Sequence, residues 1–235
     1  MCRGENSIDG YDRQYLTDLG FRVKSKYDVL ASADGDNSVI NRNSAVFVHC
    51  CCESGNLLSR PVSDDRVTRV DITAESDFTN ESTVDRVIKS IRTSANVFFY
   101  CSPCTGGSSW QKLNLDLARR KGWKHTVVKL IGHWDLHWRL WTGFERVVRH
   151  CADIGASVLL EWPRYCSYWG EPKVSSFLRD MNFSYTDFDG CMYGLVSVKD
   201  SNNCLVPKPW RLASIKSTLG KHLNRLCDGS HFHVP

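Results

Sequence analysis

Along this chain the spacing of apolar and polar positions changes at Ala45. Residues 1–44 are polar and rich in Asp, Asn, Ser and Gly, with only a short helical pattern at Tyr15, Leu19 and Phe21. They read as an N-terminal extension, ordered in part at most. From Ala45 onward, short apolar runs bounded by Gly, Pro and polar clusters predict strands at Ala45–Cys50, Val67–Ile72, 97–101 and 156–160, because continuous runs of this length suit strands buried on both faces. A hairpin-like pair is predicted at 192–198 and 210–213, joined by the polar loop 200–207.

Helical periodicity fills the intervals. Val84, Val87, Ile88 and Ile91 share one face of a segment capped by Ser82 and Thr83, with Asp85 in the first turn, where a negative charge suits the helix dipole. A longer helix, from about 127 to 152, sets Leu130, Trp134, Trp138, Trp141, Glu145 and Val148 at three- and four-residue spacing. That stripe is read as core in preference to a platform for stacked bases. Pro172 opens a further helix with Val174, Phe177, Leu178 and Met181 facing inward. Strands alternating with helices argue for an α/β fold: a Rossmann-like, mainly parallel sheet with an antiparallel edge strand pair and helices on both faces. Residues 45–235 are then one domain.

Composition narrows the setting. No run approaches the roughly 18 apolar residues of a membrane span, and the first residues lack the basic and apolar regions of a signal peptide. The 11 cysteines are an odd number, and several lie in core strands, where Cys acts as a small hydrophobe. Reduced thiols in a cytoplasmic or nuclear, not secreted, protein are therefore expected. A net charge of +4 is mild. Its positive residues bunch at Arg119, Arg120, Lys121 and Lys124 and again between Lys208 and Arg225, so either a polyanion partner or a solvated surface fits.

Chemistry concentrates where strands end. The run 97–105, VFFYCSPCT, stops in a Ser-Pro-Cys turn followed by Gly106 and Gly107. Residues just past such a strand sit in the ligand crevice of an open α/β sheet. The run 156–160 likewise ends in Glu161-Trp162-Pro163. A thiol, Cys104, and a carboxylate, Glu161, are thus expected on one edge of one sheet.

These features resemble class I S-adenosylmethionine-dependent methyltransferases, in particular the cytosine-C5 type. From that resemblance, Cys52-Glu53-Ser54-Gly55-Asn56 would be the first loop, at the methionine moiety, and Asp71 or Glu75 would hold the ribose hydroxyls. Asp77-Phe78 looks like the acidic-apolar adenine contact. Ser102-Pro103-Cys104 would be the catalytic turn, and Glu161-Trp162-Pro163 stands where the family has Glu-Asn-Val. In this chemistry a thiolate adds to C6 of cytosine, so Cys104 would be the nucleophile and Glu161 the acid at the ring nitrogen. Trp110 or Trp162 would stack the target base, and residues 105–125, with Arg119, Arg120 and Lys121, would form a mobile lid over base and phosphates. Arg211 is the candidate for the arginine of a later family motif. The family usually has one more β-α unit between the first loop and the Pro-Cys strand, and more than the single glycine of the first loop. The chain from Ala45 also resembles methyltransferase-like segments in polyproteins of retroelements and related eukaryotic proteins, through strings such as SPCTGGSSWQKLN, EWP, FDGCMYGL, KPW and CDGSHFH.

The expected function is therefore a methyltransferase that uses S-adenosylmethionine and acts on DNA or RNA. The alternative is a catalytically inactive module of a mobile element or virus that binds nucleic acid or protein. Amino-methyltransferase chemistry, with Ser102 holding an exocyclic amine, and a thiol hydrolase built on Cys104 and a histidine rank behind these.

At the C-terminus, Cys227, His231 and His233 lie within seven residues. With Cys191 or Cys204 as a fourth ligand they could hold zinc, whose tetrahedral sites take Cys and His at short spacing. A tail lying on the sheet explains them without a metal and is the expectation preferred. Core or surface positions likewise serve for His125, His133 and His137, strand-end packing for the Cys50-Cys51-Cys52 triplet, and a turn for Asp187, Asp189 and Cys191.

Overall fold

The computed structural model describes residues 45–50, 67–91, 96–101, 106–197, 204–215 and 219–233. Within them six strands form one sheet: β1 (Ala45–Cys50), β2 (Val67–Ile72), β3 (Asn96–Cys101), β4 (Ser157–Pro163), β5 (Ser184–Asp189) and β6 (Pro209–Ile215). Their order is β2-β1-β3-β4-β6-β5. β2, β1, β3 and β4 are parallel, while β6 runs antiparallel to both β4 and β5. The fold is α/β and Rossmann-like, and its antiparallel pair lies at one edge. Between β1 and β3 the described residues contain one strand and one α-helix.

Five α-helices accompany the sheet: α1 (Glu81–Ile91), α2 (Ser109–Arg120), α3 (Lys124–Ile154), α4 (Pro172–Asp180) and α5 (Leu219–Leu223). No described helix is long and apolar enough to cross a membrane. Alternation along the strands sorts side chains into two cores. On one face Val48 and Cys50, Phe99 and Cys101, and Val158, Leu160 and Trp162 meet α1 through Val84 and Val87, α3 through Trp141 and Phe144, and α4 through Val174 and Phe177. The smaller core on the other face joins Tyr100, Leu159, Phe188, Trp210 and Leu212 to Leu195 and to Leu223 of α5.

Local chemistry sets the element ends. Asn80 caps α1, its Oδ1 accepting from the N–H of Ser82 at 3.0 Å and from its hydroxyl at 2.9 Å. Pro172 stands in the first turn of α4, where its missing N–H costs nothing. Gly155, at φ +76°, ends α3 and turns the chain straight into β4.

Three expectations need correction. The strand expected at 192–198 is a 3-10 turn, Gly190–Tyr193, closed by Gly194 at φ +76°, with only an isolated bridge at Val196. The partner of β6 is Ser184–Asp189 instead. Residues 105–125, expected as a lid loop, contain helix α2, whose Gln111, Leu115 and Ala118 are buried at helical spacing and which packs on α3. The glycines before it are clamped: Trp134 Nε1 donates to the Gly106 carbonyl at 2.9 Å, and the N–H of Ser167 donates to the Gly107 carbonyl at 2.7 Å. The cap of α1 is Asn80, not the expected Ser82 and Thr83, which lie inside the helix. The extension 1–44 lies outside the described residues.

Candidate functional site

Three strands, β2, β1 and β3, end at one level, and β4 runs on beside them to Pro163. In the register Ile72 pairs with Cys50, Cys50 with Cys101, and Cys101 with Leu160. The chain leaves β2, β1 and β3 side by side at this carboxyl edge, and Glu161 lies one residue beyond the last β3–β4 pair. Cys52, Glu53, Ser54 and Gly55, which follow β1, and Ser102, Pro103 and Cys104, which follow β3, lie outside the described residues.

The acids after β2 divide by use. Asp71 is half-buried at the penultimate position of β2, and Glu75 is exposed in the 3-10 turn Ala74–Ser76. Asp77 takes the left-handed conformation, φ +46°, and its Oδ1 accepts from the Thr79 N–H at 3.1 Å and the Thr79 hydroxyl at 2.6 Å. That is an Asx turn leading into α1. Phe78 is a core residue, 3% exposed. A Cβ at Gly143 of α3 would come within 3.0 Å of its carbonyl oxygen, so the glycine is what lets the two segments approach.

Glu161 is 2% exposed and lies on the face opposite the main helix layer. The Tyr100 hydroxyl donates to its Oε2 at 2.5 Å, and the His49 ring lies 5.1 Å from that of Tyr100. His49 and Tyr100 are cross-strand partners on β1 and β3. Sequence reasoning missed both. The signal that could have found them is a polar side chain near the end of each buried strand at the same alternation phase as Glu161.

The expected nucleic-acid residues are dispersed. Trp110 is 65% exposed in the first turn of α2, about 15 Å along the helix from Arg119 and Arg120, which with Lys121 are exposed at its other end. Trp162 is wholly buried among Trp141, Tyr168 and Trp169. It offers no face to a base, which corrects the expectation for it. Arg211 gives a bidentate pair to Asp187, Nε to Oδ1 at 2.7 Å and Nη2 to Oδ2 at 2.9 Å, and its guanidinium lies over Trp169 and Tyr185. Arg211 is thus committed to the β5–β6 pair.

The same carboxyl edge carries a second group at the end of β5. Cys191, Cys227, His231 and His233 place one ligand atom each within 4.8 Å of one another. Burial first, then the neighbouring Cys227, push the Cys191 thiol up to about 12. Cys191, and not Cys204, is the fourth member. Neighbouring strands lie about 4.8 Å apart, so this group stands about 14 Å across the sheet from the end of β3.

Comparison with protein-family models, with curated proteins and with solved structures finds no match to this chain.

Proposed function

We propose that this chain is a methyltransferase that takes its methyl group from S-adenosylmethionine and acts on nucleic acid, as cytosine-C5 enzymes do. The observation that supports this is the common level of Ile72, Cys50, Cys101 and Leu160. The segments that the family resemblance assigns to cofactor and base leave β1, β2 and β3 at the same edge, beside Glu161 of β4. The chain steps outward from β1 to β2 and then crosses back to β3 on the other side, and such a switch point opens a crevice for nucleotide-like ligands.

Asp71 and Glu75 suit the ribose hydroxyls, because a carboxylate can accept from both hydroxyls of a diol. Asp77 and Phe78 do not suit the adenine, since the first closes its own turn and the second fills the core. When bound, the cofactor supplies an electrophilic methyl group. Cys104 would add to C6 of the base, and Glu161, oriented by Tyr100, would hold the proton at the ring nitrogen. Trp110 and the basic end of α2 would meet the nucleic acid.

The structural use of Asp77 and Phe78 favours one alternative, a module of a mobile element or virus that keeps the sheet and binds nucleic acid without catalysis. Calorimetric titration of the reduced chain with S-adenosylmethionine separates the two. Micromolar binding that Asp71→Ala abolishes is the expected result, to be followed by methyl transfer to DNA and RNA with Cys104→Ser as the inactive control. No binding at millimolar cofactor would leave the non-catalytic module.

A further inference from the structure

The C-terminal segment returns to the end of β5 through directed hydrogen bonds. The Asp189 N–H donates to the Arg225 carbonyl at 3.0 Å, and the Cys227 N–H donates to Asp189 Oδ2 at 2.9 Å. The other Asp189 oxygen is held by Arg164 Nη2 at 2.8 Å. Farther along, His233 forms a parallel bridge with Leu205. These contacts set the segment against the 3-10 turn Gly190–Tyr193, where Cys191 is 4% exposed.

Two of the resulting distances are those of a metal polyhedron. Cys227 Sγ lies 3.6 Å from His231 Nε2 and 3.5 Å from His233 Nε2. A tetrahedral zinc ion bonded to sulfur at about 2.3 Å and to nitrogen at about 2.05 Å sets an S···N edge of about 3.5 Å. One cysteine beside one histidine could reach that distance for other reasons. Here two imidazoles approach the same sulfur, and the fourth donor, Cys191, arrives from a separate part of the chain.

The local backbone accounts for how three donors from so short a segment converge. Residues 231 and 233 of an extended segment point to one side and residue 232 to the other. Phe232 is accordingly 93% exposed, while the two imidazoles meet edge to face with centroids 4.7 Å apart. Gly229, at φ +75°, turns the chain between Cys227 and His231, and its N–H donates to Cys227 Sγ at 3.3 Å. Such a donor stabilises sulfur that carries negative charge, and Asp189 positions the Cys227 backbone as an outer partner of a ligand does.

We infer that Cys191, Cys227, His231 and His233 form a closed site for one structural zinc ion, which pins the C-terminal segment to the carboxyl edge of the sheet. Two soft thiolates and two imidazoles in a tetrahedron favour zinc over the hard, oxygen-seeking cations. Four protein donors leave no position for water, so the ion would serve structure and not hydrolysis. The site stands independently of the methyl-transfer proposal.

The full chain, expressed without a polyhistidine tag and kept reduced, is assayed for metal by plasma mass spectrometry. The chelator-stripped protein is then titrated with cobalt(II). A single equivalent of zinc is expected, and the cobalt form should show the intense d–d absorption of a tetrahedral ion with a thiolate charge-transfer band. Cys227→Ala and His231→Ala should each weaken binding by about tenfold or more, while Cys204→Ala should retain the equivalent. Absence of zinc in the folded, reduced chain, a weak octahedral cobalt spectrum, or full metal retention by Cys227→Ala would each overturn the site. The cobalt titration of the unsubstituted chain decides the question even if the alanine variants fail to fold.

Discussion

The Tyr100 hydroxyl on β3 donates to the Glu161 carboxylate on β4 within the buried face of the sheet. A carboxyl group with only 2% of its residue exposed depends on its donors, because burial without them would cost more than the net worth of a hydrogen bond. Tyr100→Phe removes one donor and keeps the ring packed. It should lower stability by about 1–3 kcal/mol in urea unfolding. If Glu161 also acts on a base, the same variant should keep cofactor affinity while methyl transfer falls.

Asp187 gives a pH test. The hydrogen bond from Arg211 holds its carboxyl below the usual carboxylate range, opposed by partial burial and helped by the charges of Arg211 and Arg164. A lowered folded-state value means that the unfolded chain takes up the proton first. The stabilisation is therefore present above about pH 4 and is lost as pH falls through the folded value. Asp187→Asn should unfold at lower urea than the parent at neutral pH, and the gap should close on acidification. A gap that stays constant down to strong acid would contradict the pairing.

The two tryptophans assigned to base stacking should behave in opposite ways. Trp162 is fully buried, and Trp162→Ala should cost about 3–5 kcal/mol by leaving a cavity among Trp141, Tyr168 and Trp169. Trp110 is mostly exposed, and Trp110→Ala should change stability by no more than about 0.5 kcal/mol. If it meets nucleic acid, the loss in single-strand affinity should be about 1–3 kcal/mol, measured by fluorescence anisotropy.

Much of the sheet was legible because its strands are apolar runs. Ala45–Cys50 and Val67–Ile72 are found with their sequence-derived bounds, and Pro172 marks the start of α4. β5 escaped because it is an edge strand, SYTDFD, in which only Phe188 is a fully buried apolar residue. Its Asp187 and Asp189 read as a turn until Arg211 and Arg164 are seen to neutralise them across space. α2 escaped because its buried set includes Gln111 and its exposed face carries Leu113 and Trp110, which blurs the apolar stripe. The spacing of Cys227, His231 and His233 was visible locally. The choice of Cys191 over Cys204 depends on the 3-10 turn after β5, a long-range outcome that spacing does not encode.

Gly107 supplies a packing test. A Cβ there would meet Tyr168 Cδ2 at 2.7 Å and collide with Cys166 Sγ, both in buried residues. Gly107→Ala should destabilise by about 1–3 kcal/mol through overpacking. Adding Cys166→Ala should recover part of that loss, so the double variant should lie above the sum of the singles in a denaturation cycle.

β6 comes last of the strands in the chain yet lies inside the sheet, and β5 pairs with β6 alone among the described strands. During synthesis β5 therefore leaves the ribosome with no neighbour to join, and it waits until residues 209–215 have cleared the exit tunnel. Until then β4 also presents an open edge, the kind of surface on which nascent chains misassociate. Joining β6 to the sheet is an insertion between two strands made before it, so a translation product that stops short of residue 209 would carry both open edges together.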